Sequence, residues 1–168
     1  MKESGLSGQQ SQKFSIKLEI DTRPPTGGII ESHIVERHLT LALRHYDLPS
    51  LFAGKLHAIL FRAYTKGRDL YDFLWYVGKR TPVNLVLLEN ASRQTQNKEF
   101  HWDELKLKEA LKERFTKTDF AKAQEDCLPF LEDPRAIKLL NSELLLAATN
   151  QLRIEPEAKW SPTQVFLT

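Results

Sequence analysis

The fold of this chain is decided by the stretch Asp47-Leu-Pro-Ser-Leu-Phe-Ala-Gly-Lys-Leu-His-Ala-Ile-Leu-Phe-Arg62. Its first residues offer helix caps ahead of a mostly apolar run, which predicts a helix over residues 50–64. Similar patterns predict further helices over 68–77, 84–95, 102–115, 118–131 and 135–152. Breaks are predicted at Pro82, Pro129 and Pro134, because proline interrupts or bends a helix. From residue 50 onward the chain is therefore predicted to be mainly helical.

Upstream of this stretch, apolar residues recur at every second position. Residues 14–21 alternate without a slip, which predicts a half-buried strand. The apolar side of that strand consists of Phe14, Ile16, Leu18 and Ile20. The prolines and glycines of residues 22–28 end it, and a second strand is predicted near Leu39, Leu41 and Leu43. Strands followed by a run of helices predict an α+β fold.

Composition excludes several classes of protein. The 24 basic and 22 acidic residues give a net charge of +2, which does not by itself argue for nucleic-acid binding. The single cysteine, Cys127, cannot form an intramolecular disulfide and is predicted to be buried in a helix. No Cys/His cluster has zinc spacing. Residues 1–12 are polar and no apolar run reaches the roughly 20 residues of a membrane span, so a cytoplasmic protein is expected.

The polar side of the first predicted strand carries candidate acids. Lys17, Glu19 and Asp21 alternate with the apolar residues and face one way. Two interpretations are open: a solvated sheet face, or a carboxylate that acts as metal ligand or general base. The second would suit Mg²⁺, which prefers carboxylate and phosphate oxygens.

Cationic residues interrupt the apolar helix. Lys55 and Arg62 are seven residues apart, so they share one helical face. A lysine whose stem lies along apolar surface would explain Lys55. The alternative is a cationic pair directed at phosphate, with lysine as a point charge and arginine as a fork. His57 lies on a different face and is predicted to be a packed or surface histidine.

A third candidate is the string Lys66-Gly-Arg-Asp-Leu-Tyr-Asp72. Asp69 and Asp72 are three residues apart in the first turns of a predicted helix, where carboxylates favour the helix dipole. Simple helix capping is one interpretation. A functional interpretation is the alternative, because capping alone does not need Lys66, Arg68 and two acids within seven residues.

Four segments of the chain resemble the AbiEii/AbiGii toxin family of nucleotidyltransferases: 14–25, 46–62, 66–76 and 125–134. The resemblance implies a nucleotidyltransferase-type sheet followed by a helical bundle. It also implies a toxin of a toxin–antitoxin (abortive infection) system, paired with a cognate antitoxin. Such an enzyme would transfer a nucleotide from an NTP, with Mg²⁺, to an acceptor such as tRNA or a protein. The divisions then expected are a disordered lead (1–13), a partial nucleotidyltransferase sheet (14–45), a helical part (46–153) and an irregular tail (154–168).

Site residues follow from the resemblance position by position. The family's third carboxylate, a metal ligand, falls on Glu19, with Asp21 as the alternative. The resemblance adds Asp69 and Asp72 as catalytic acids. Nucleotide binding is then expected of Lys55, Arg62, Lys66 and Arg68.

The chain departs from the family pattern in one respect. Ahead of Glu19 it has neither the family's Gly-Gly/Ser phosphate loop nor its Asp-x-Asp pair, and Gly27-Gly28 comes after the strand. The resemblance therefore implies the C-terminal portion of such an enzyme, inactive alone, with the N-terminal half as a possible partner. The alternative is a non-catalytic module that binds an antitoxin or RNA. A stand-alone hydrolase using Glu19, Asp69 and Asp72 is the weakest option, because no nucleophile–base pair is evident.

Overall fold

The computed structural model describes residues 17–36 and 38–154 and has an α+β fold, as predicted. Two strands, β1 (Ile30–Glu36) and β2 (Thr40–Tyr46), pair antiparallel, from Ile30 opposite Tyr46 to Glu36 opposite Thr40. We call this pair the β1–β2 hairpin. Every described residue from 30 to 44 is exposed, so the hairpin packs neither of its faces against the core.

The remainder is a bundle of short helices. The α-helices are α1 (Leu48–Phe61), α2 (Gly67–Gly78), α3 (Leu85–Gln96), α4 (Glu104–Thr116), α5 (Phe120–Cys127) and α6 (Ser142–Asn150). Two 3₁₀ segments, Leu128–Phe130 and Pro134–Leu139, lie between α5 and α6. Two-residue strands, β3 (Pro82–Val83) and β4 (Arg153–Ile154), pair in parallel. The predicted helices are confirmed to within a few residues, except that the stretch 135–152 is divided into a 3₁₀ segment and α6.

Most helices begin at a side-chain cap, which satisfies an otherwise unpaired backbone N–H. Asp47 caps α1 by accepting from the Ser50 N–H at 2.9 Å. Helix α2 differs, because its N-cap residue Lys66 makes no such bond. Instead, the Gly67 N–H donates to Asp126 of α5 at 2.9 Å. The start of α2 is thereby tied to α5.

The core lies where the helices meet. Fully buried side chains that fill it include Phe52, Leu56, Leu70, Phe73, Leu107, Leu111 and Phe115. The Phe52 ring stacks on Tyr76 at 4.7 Å, and Phe73 meets Phe115 edge-on at 5.2 Å. Cys127 is buried at the end of α5, which confirms its predicted packing role. No helix within the described ranges is both long and apolar enough to cross a bilayer.

The prediction of a first strand is wrong over its described residues, 17–21. Residues 17–21 form no strand, and Leu18 and Ile20 are 81% and 76% exposed. A strand needs a hydrogen-bonded neighbour, and none pairs with these residues within the described part of the chain. Phe14 and Ile16 lie outside the described residues. The strand predicted near Leu41 and Leu43 is confirmed as β2.

Its partner β1 was not predicted. Ile29-Ile30 and Ile34-Val35 place apolar residues side by side and hide the two-residue period. The predicted lead, 1–13, lies outside the described residues. So does the predicted tail, 154–168, apart from Ile154 in β4.

Candidate functional site

Four of the predicted site residues meet between α1 and α2, and we call them the ion cluster: Lys55, Arg62, Asp69 and Asp72. Asp69 is its centre and is only 5% exposed. One carboxylate oxygen of Asp69 accepts from Lys55 Nζ at 3.2 Å, and the other accepts from Arg62 Nη1. Lys55 Nζ also lies 2.7 Å from Asp72 Oδ2. A nearly buried anion therefore holds two cations.

Helical spacing on both sides produces this arrangement. Lys55 and Arg62 stand two turns apart on the α1 side, and Asp69 and Asp72 stand one turn apart on α2. The close approach at Gly67 helps to place α2, because a Cβ on Gly67 would lie 1.7 Å from the Ala123 carbonyl oxygen of α5. The glycine of the Lys-Gly-Arg-Asp string is thus required by helix packing.

The electrostatics of the ion cluster keep its lysine protonated. Burial acts to lower the pKa of Lys55, but the Asp72 and Asp69 carboxylates outweigh it and the pKa is raised overall. Burial, together with the Asp72 charge, raises the pKa of the neighbouring Tyr76. A further cation approaches from α4, since Arg114 donates to the Arg62 carbonyl oxygen at 2.6 Å. Nothing in the sequence pattern pointed to Arg114.

The two acids of the predicted first strand, Glu19 and Asp21, lie outside the ion cluster. Glu19 is exposed and forms an ion pair with Lys17. The hydrogen bond and charge of Lys17 are the main causes that lower the pKa of Glu19, with smaller contributions from Lys66 and Arg62. Among the ion pairs of the described residues, Glu19 has Lys17 as its partner and no member of the ion cluster.

Asp21 makes its contacts outside the ion cluster. Its carboxylate accepts from the Arg23 N–H at 2.9 Å. It lines a cavity of about 370 Å³ between α1 and α3, together with His57 and Thr95. His57 Nε2 lies 2.9 Å from Thr95 Oγ1, and His57 is half-buried, in line with the packed or surface histidine that was predicted.

The two remaining predicted cations lie over aromatic rings. Lys66 Nζ is 6.0 Å from the centre of the Tyr64 ring, and the Arg68 guanidinium is 5.0 Å from the centre of Phe130. Arg68 thus belongs to the contact with the 3₁₀ segment after α5. Asp126 lies in the resembling segment 125–134 but was not among the predicted site residues. It accepts from the Gly67 N–H, 59 residues away in the sequence.

Comparison with known families now bears on this site. A family model described as "Nucleotidyl transferase AbiEii toxin, Type IV TA system" matches residues 4–142. The chain belongs to this family. Searches of curated proteins and of solved structures return no match.

Membership of the AbiEii family confirms the resemblance drawn from the four segments. The family consists of nucleotidyltransferase toxins of type IV toxin–antitoxin systems, so an antitoxin partner is implied. Nucleotidyltransferases as a class use an NTP and a divalent metal ion. The AbiEii match also covers the Lys66–Asp72 string and every residue of the ion cluster.

The ion cluster does not fit the divalent metal of an AbiEii nucleotidyltransferase. Both Asp69 oxygens already contact cations, and so does one oxygen of Asp72. A metal ion there would be repelled by Lys55 and Arg62. Within the described part of the chain, Glu19 also joins no group of three potential ligands. The chemistry of the ion cluster is that of fixed cations, which suits phosphate rather than metal.

Proposed function

We propose that this AbiEii chain acts in nucleotidyl transfer, and that its ion cluster binds the phosphates of the NTP. The complete enzyme would transfer a nucleotide from NTP to an RNA or protein acceptor in an abortive-infection system. The observation that carries the proposal is the paired contact of buried Asp69 with Lys55 and Arg62.

Asp69 would act by positioning the cations. The Lys55 and Arg62 side chains are 36% and 38% exposed, so each keeps an accessible side while its other side rests on Asp69. Cations that are fixed before the ligand arrives stabilise phosphate charge without reorganisation at the moment of reaction. Lys66, at the start of α2, adds positive charge nearby, and Asp72 holds Lys55 from the opposite side.

Transfer would require carboxylates that these residues do not supply. Mg²⁺ is usually held by one or two carboxylates plus substrate phosphates, and no Asp-x-Asp pair precedes Glu19. We infer that carboxylates outside the described residues complete the site, with Glu19, or else Asp21, as a further acid. Residues 1–168 would then bind NTP weakly and transfer nothing alone.

A labelled-NTP assay tests the proposal. Residues 1–168 are incubated with each NTP, Mg²⁺ and total tRNA, alone or after co-expression with a family N-terminal segment that carries the Asp-x-Asp pair. Transfer is expected only in the co-expressed sample. It should fall steeply in both variants, because Lys55→Met removes a cation from the phosphate site and Asp69→Asn weakens the hold on both cations.

The matched control is Lys117→Met. Lys117 pairs with Glu113 on the surface of α4, far more exposed than Lys55, so this variant removes a lysine–carboxylate pair without touching the ion cluster. Its transfer should equal that of the parent. Transfer by 1–168 alone that disappears in Glu19→Ala or Asp69→Ala would overturn the requirement for carboxylates outside these residues.

A second candidate is a non-catalytic module that binds an antitoxin or RNA. It is favoured by the occupied oxygens of Asp69, which leave the ion cluster neutral in total, with two cations and two anions. Under this alternative, co-expression yields no transfer, while Lys55→Met retains the binding of the cognate antitoxin in a pull-down. Loss of transfer with retained antitoxin binding in Lys55→Met would argue for the catalytic proposal.

A further inference from the structure

A second group of chemically active side chains lies on the β1–β2 hairpin, outside the ion cluster. Glu31 stands directly opposite His45 in the register, and His33 follows Glu31 by two residues, so all three share one face. One ligand atom from each of the three lies within 4.8 Å of the others. The spacing of Glu31, His33 and His45 in the sequence gives no sign of this, because strand pairing brings them together.

The orientation of His45 is fixed by the backbone. Its Nδ1 lies 2.7 Å from the carbonyl oxygen of Tyr46. A carbonyl can only accept, so Nδ1 carries the proton and the lone pair of neutral His45 is on Nε2. That Nε2 lies 2.5 Å from His33 Nδ1, and the two rings stack at 4.7 Å. Metal-binding histidines are oriented in the same way by a bond from the second ring nitrogen.

We propose that Glu31, His33 and His45 bind one divalent transition-metal ion of the Zn²⁺ type. Two imidazole nitrogens and one carboxylate oxygen form a ligand set typical of zinc, with a fourth position left for water or a partner's donor. At Zn–N distances of about 2.0–2.1 Å, tetrahedral geometry places two nitrogens about 3.3 Å apart. The histidines must therefore separate by roughly 1 Å, and the His33 proton must shift to Nε2 or be released. Such rotations are open to side chains on an exposed strand.

The surroundings favour a cation. The same face of the hairpin carries Val35, Leu41 and Leu43 next to the three ligands, whereas Arg44 stands opposite Ser32 on the other face. Among the described residues, no lysine or arginine forms an ion pair with Glu31. A bound ion would also join β1 to β2, which otherwise have little burial to hold them together.

Metal titration of the full, tag-free chain tests the site. Zn²⁺ binding is measured by calorimetry, and Co²⁺ is used as a probe because tetrahedral Co²⁺ absorbs strongly in the visible range. One ion per chain and an intense Co²⁺ band are expected. His33→Gln, His45→Gln and Glu31→Gln should each weaken binding about tenfold or more. All three side chains are in the hairpin rather than the core, so circular dichroism should show the helices unchanged.

The matched control is His101→Gln. His101 is an exposed histidine with a single carboxylate partner, Glu89, at 3.0 Å, so it reproduces a His–Glu pair without the third ligand. Binding should be unchanged in this variant. The proposal would be overturned if the parent chain did not bind Zn²⁺. It would also be overturned if the His33 and His45 variants bound Zn²⁺ as tightly as the parent does. Neither readout involves NTP, so the result is independent of the proposed nucleotidyltransferase activity.

Discussion

The β1–β2 hairpin and the helical part of the chain are stabilised in opposite ways. Every described hairpin residue from 30 to 44 is exposed, whereas the α1 and α2 interface contains fully buried Phe52, Leu56 and Phe73. An isolated two-stranded ribbon is marginal in water, because burial supplies most of the free energy of folding. The helices therefore carry the stability, and the hairpin offers two open faces to ligands or partners.

The two regions are joined by polar contacts at the base of the hairpin. The Asp47 N–H donates to the Ile29 carbonyl at 2.9 Å, and the Ile29 N–H donates to Ser50 Oγ at 3.0 Å. Asn84, which caps α3, donates to the Gly27 carbonyl at 2.8 Å. Hydrogen bonds are directional, so they orient the hairpin even though it buries little apolar surface.

The largest expected difference between the regions comes from one substitution made in each. Leu56→Ala removes a fully buried side chain of α1 and should lower the free energy of unfolding by about 2–5 kcal/mol, because it leaves a cavity. Leu41→Ala removes a half-exposed side chain of β2 and should change the free energy of unfolding by about 0.5 kcal/mol or less. Urea unfolding followed by circular dichroism measures both. Equal losses would mean that the hairpin face is covered in solution.

Smaller changes in stability are expected from Gly→Ala substitutions at two positions in the helical part. Gly67→Ala would place a Cβ 1.7 Å from the Ala123 carbonyl oxygen, so α2 and α5 must separate, at a cost of about 1–3 kcal/mol. Gly54→Ala in the middle of α1 meets nothing within 4 Å and should stabilise the helix by up to about 1 kcal/mol. Opposite shifts in melting temperature are expected. A neutral Gly67→Ala would show that the α2–α5 contact yields easily.

The sequence predicted the helices well because their signals are local. Caps such as Asp47 stand beside the run that they begin, and prolines mark the breaks. Strand pairing depends on a neighbour that local patterns do not reveal. Residues 14–21 have a perfect alternation, yet the described part of them is not a strand. Residues 30–36 have a poor alternation and form β1.

The same division applies to the candidate sites. Lys55 and Arg62 could be paired from helical spacing alone, and so could Asp69 and Asp72. The two pairs contact each other because of the way α1 packs against α2. Helical spacing within the sequence does not predict that packing. Arg68 has the right chemistry and position in the string, but packing turns it toward Phe130. The Glu31, His33 and His45 group depends entirely on register, so it was invisible in the sequence.

The smallest expected effect comes from the half-buried histidine His57. Burial is the main cause that lowers the pKa of His57, with the charge of Arg62 adding to it, while a hydrogen bond to the Ala91 backbone opposes it. In the unfolded chain, the pKa of the His57 imidazole is about 6.5. As the pH falls through that value and on to the lower folded pKa, the unfolded state binds more protons, so the free energy of unfolding decreases.

His57→Gln should therefore flatten this acid-side loss. The measurement is urea unfolding at pH 7.5, 6.5 and 5.5, a range that avoids most carboxylate titration. The parent should lose more stability across this range than His57→Gln does, because glutamine takes up no proton. If His57→Gln instead loses as much stability as the parent, the neutral state of His57 does not contribute to the stability of the helical part, and the acid-side loss arises from other groups.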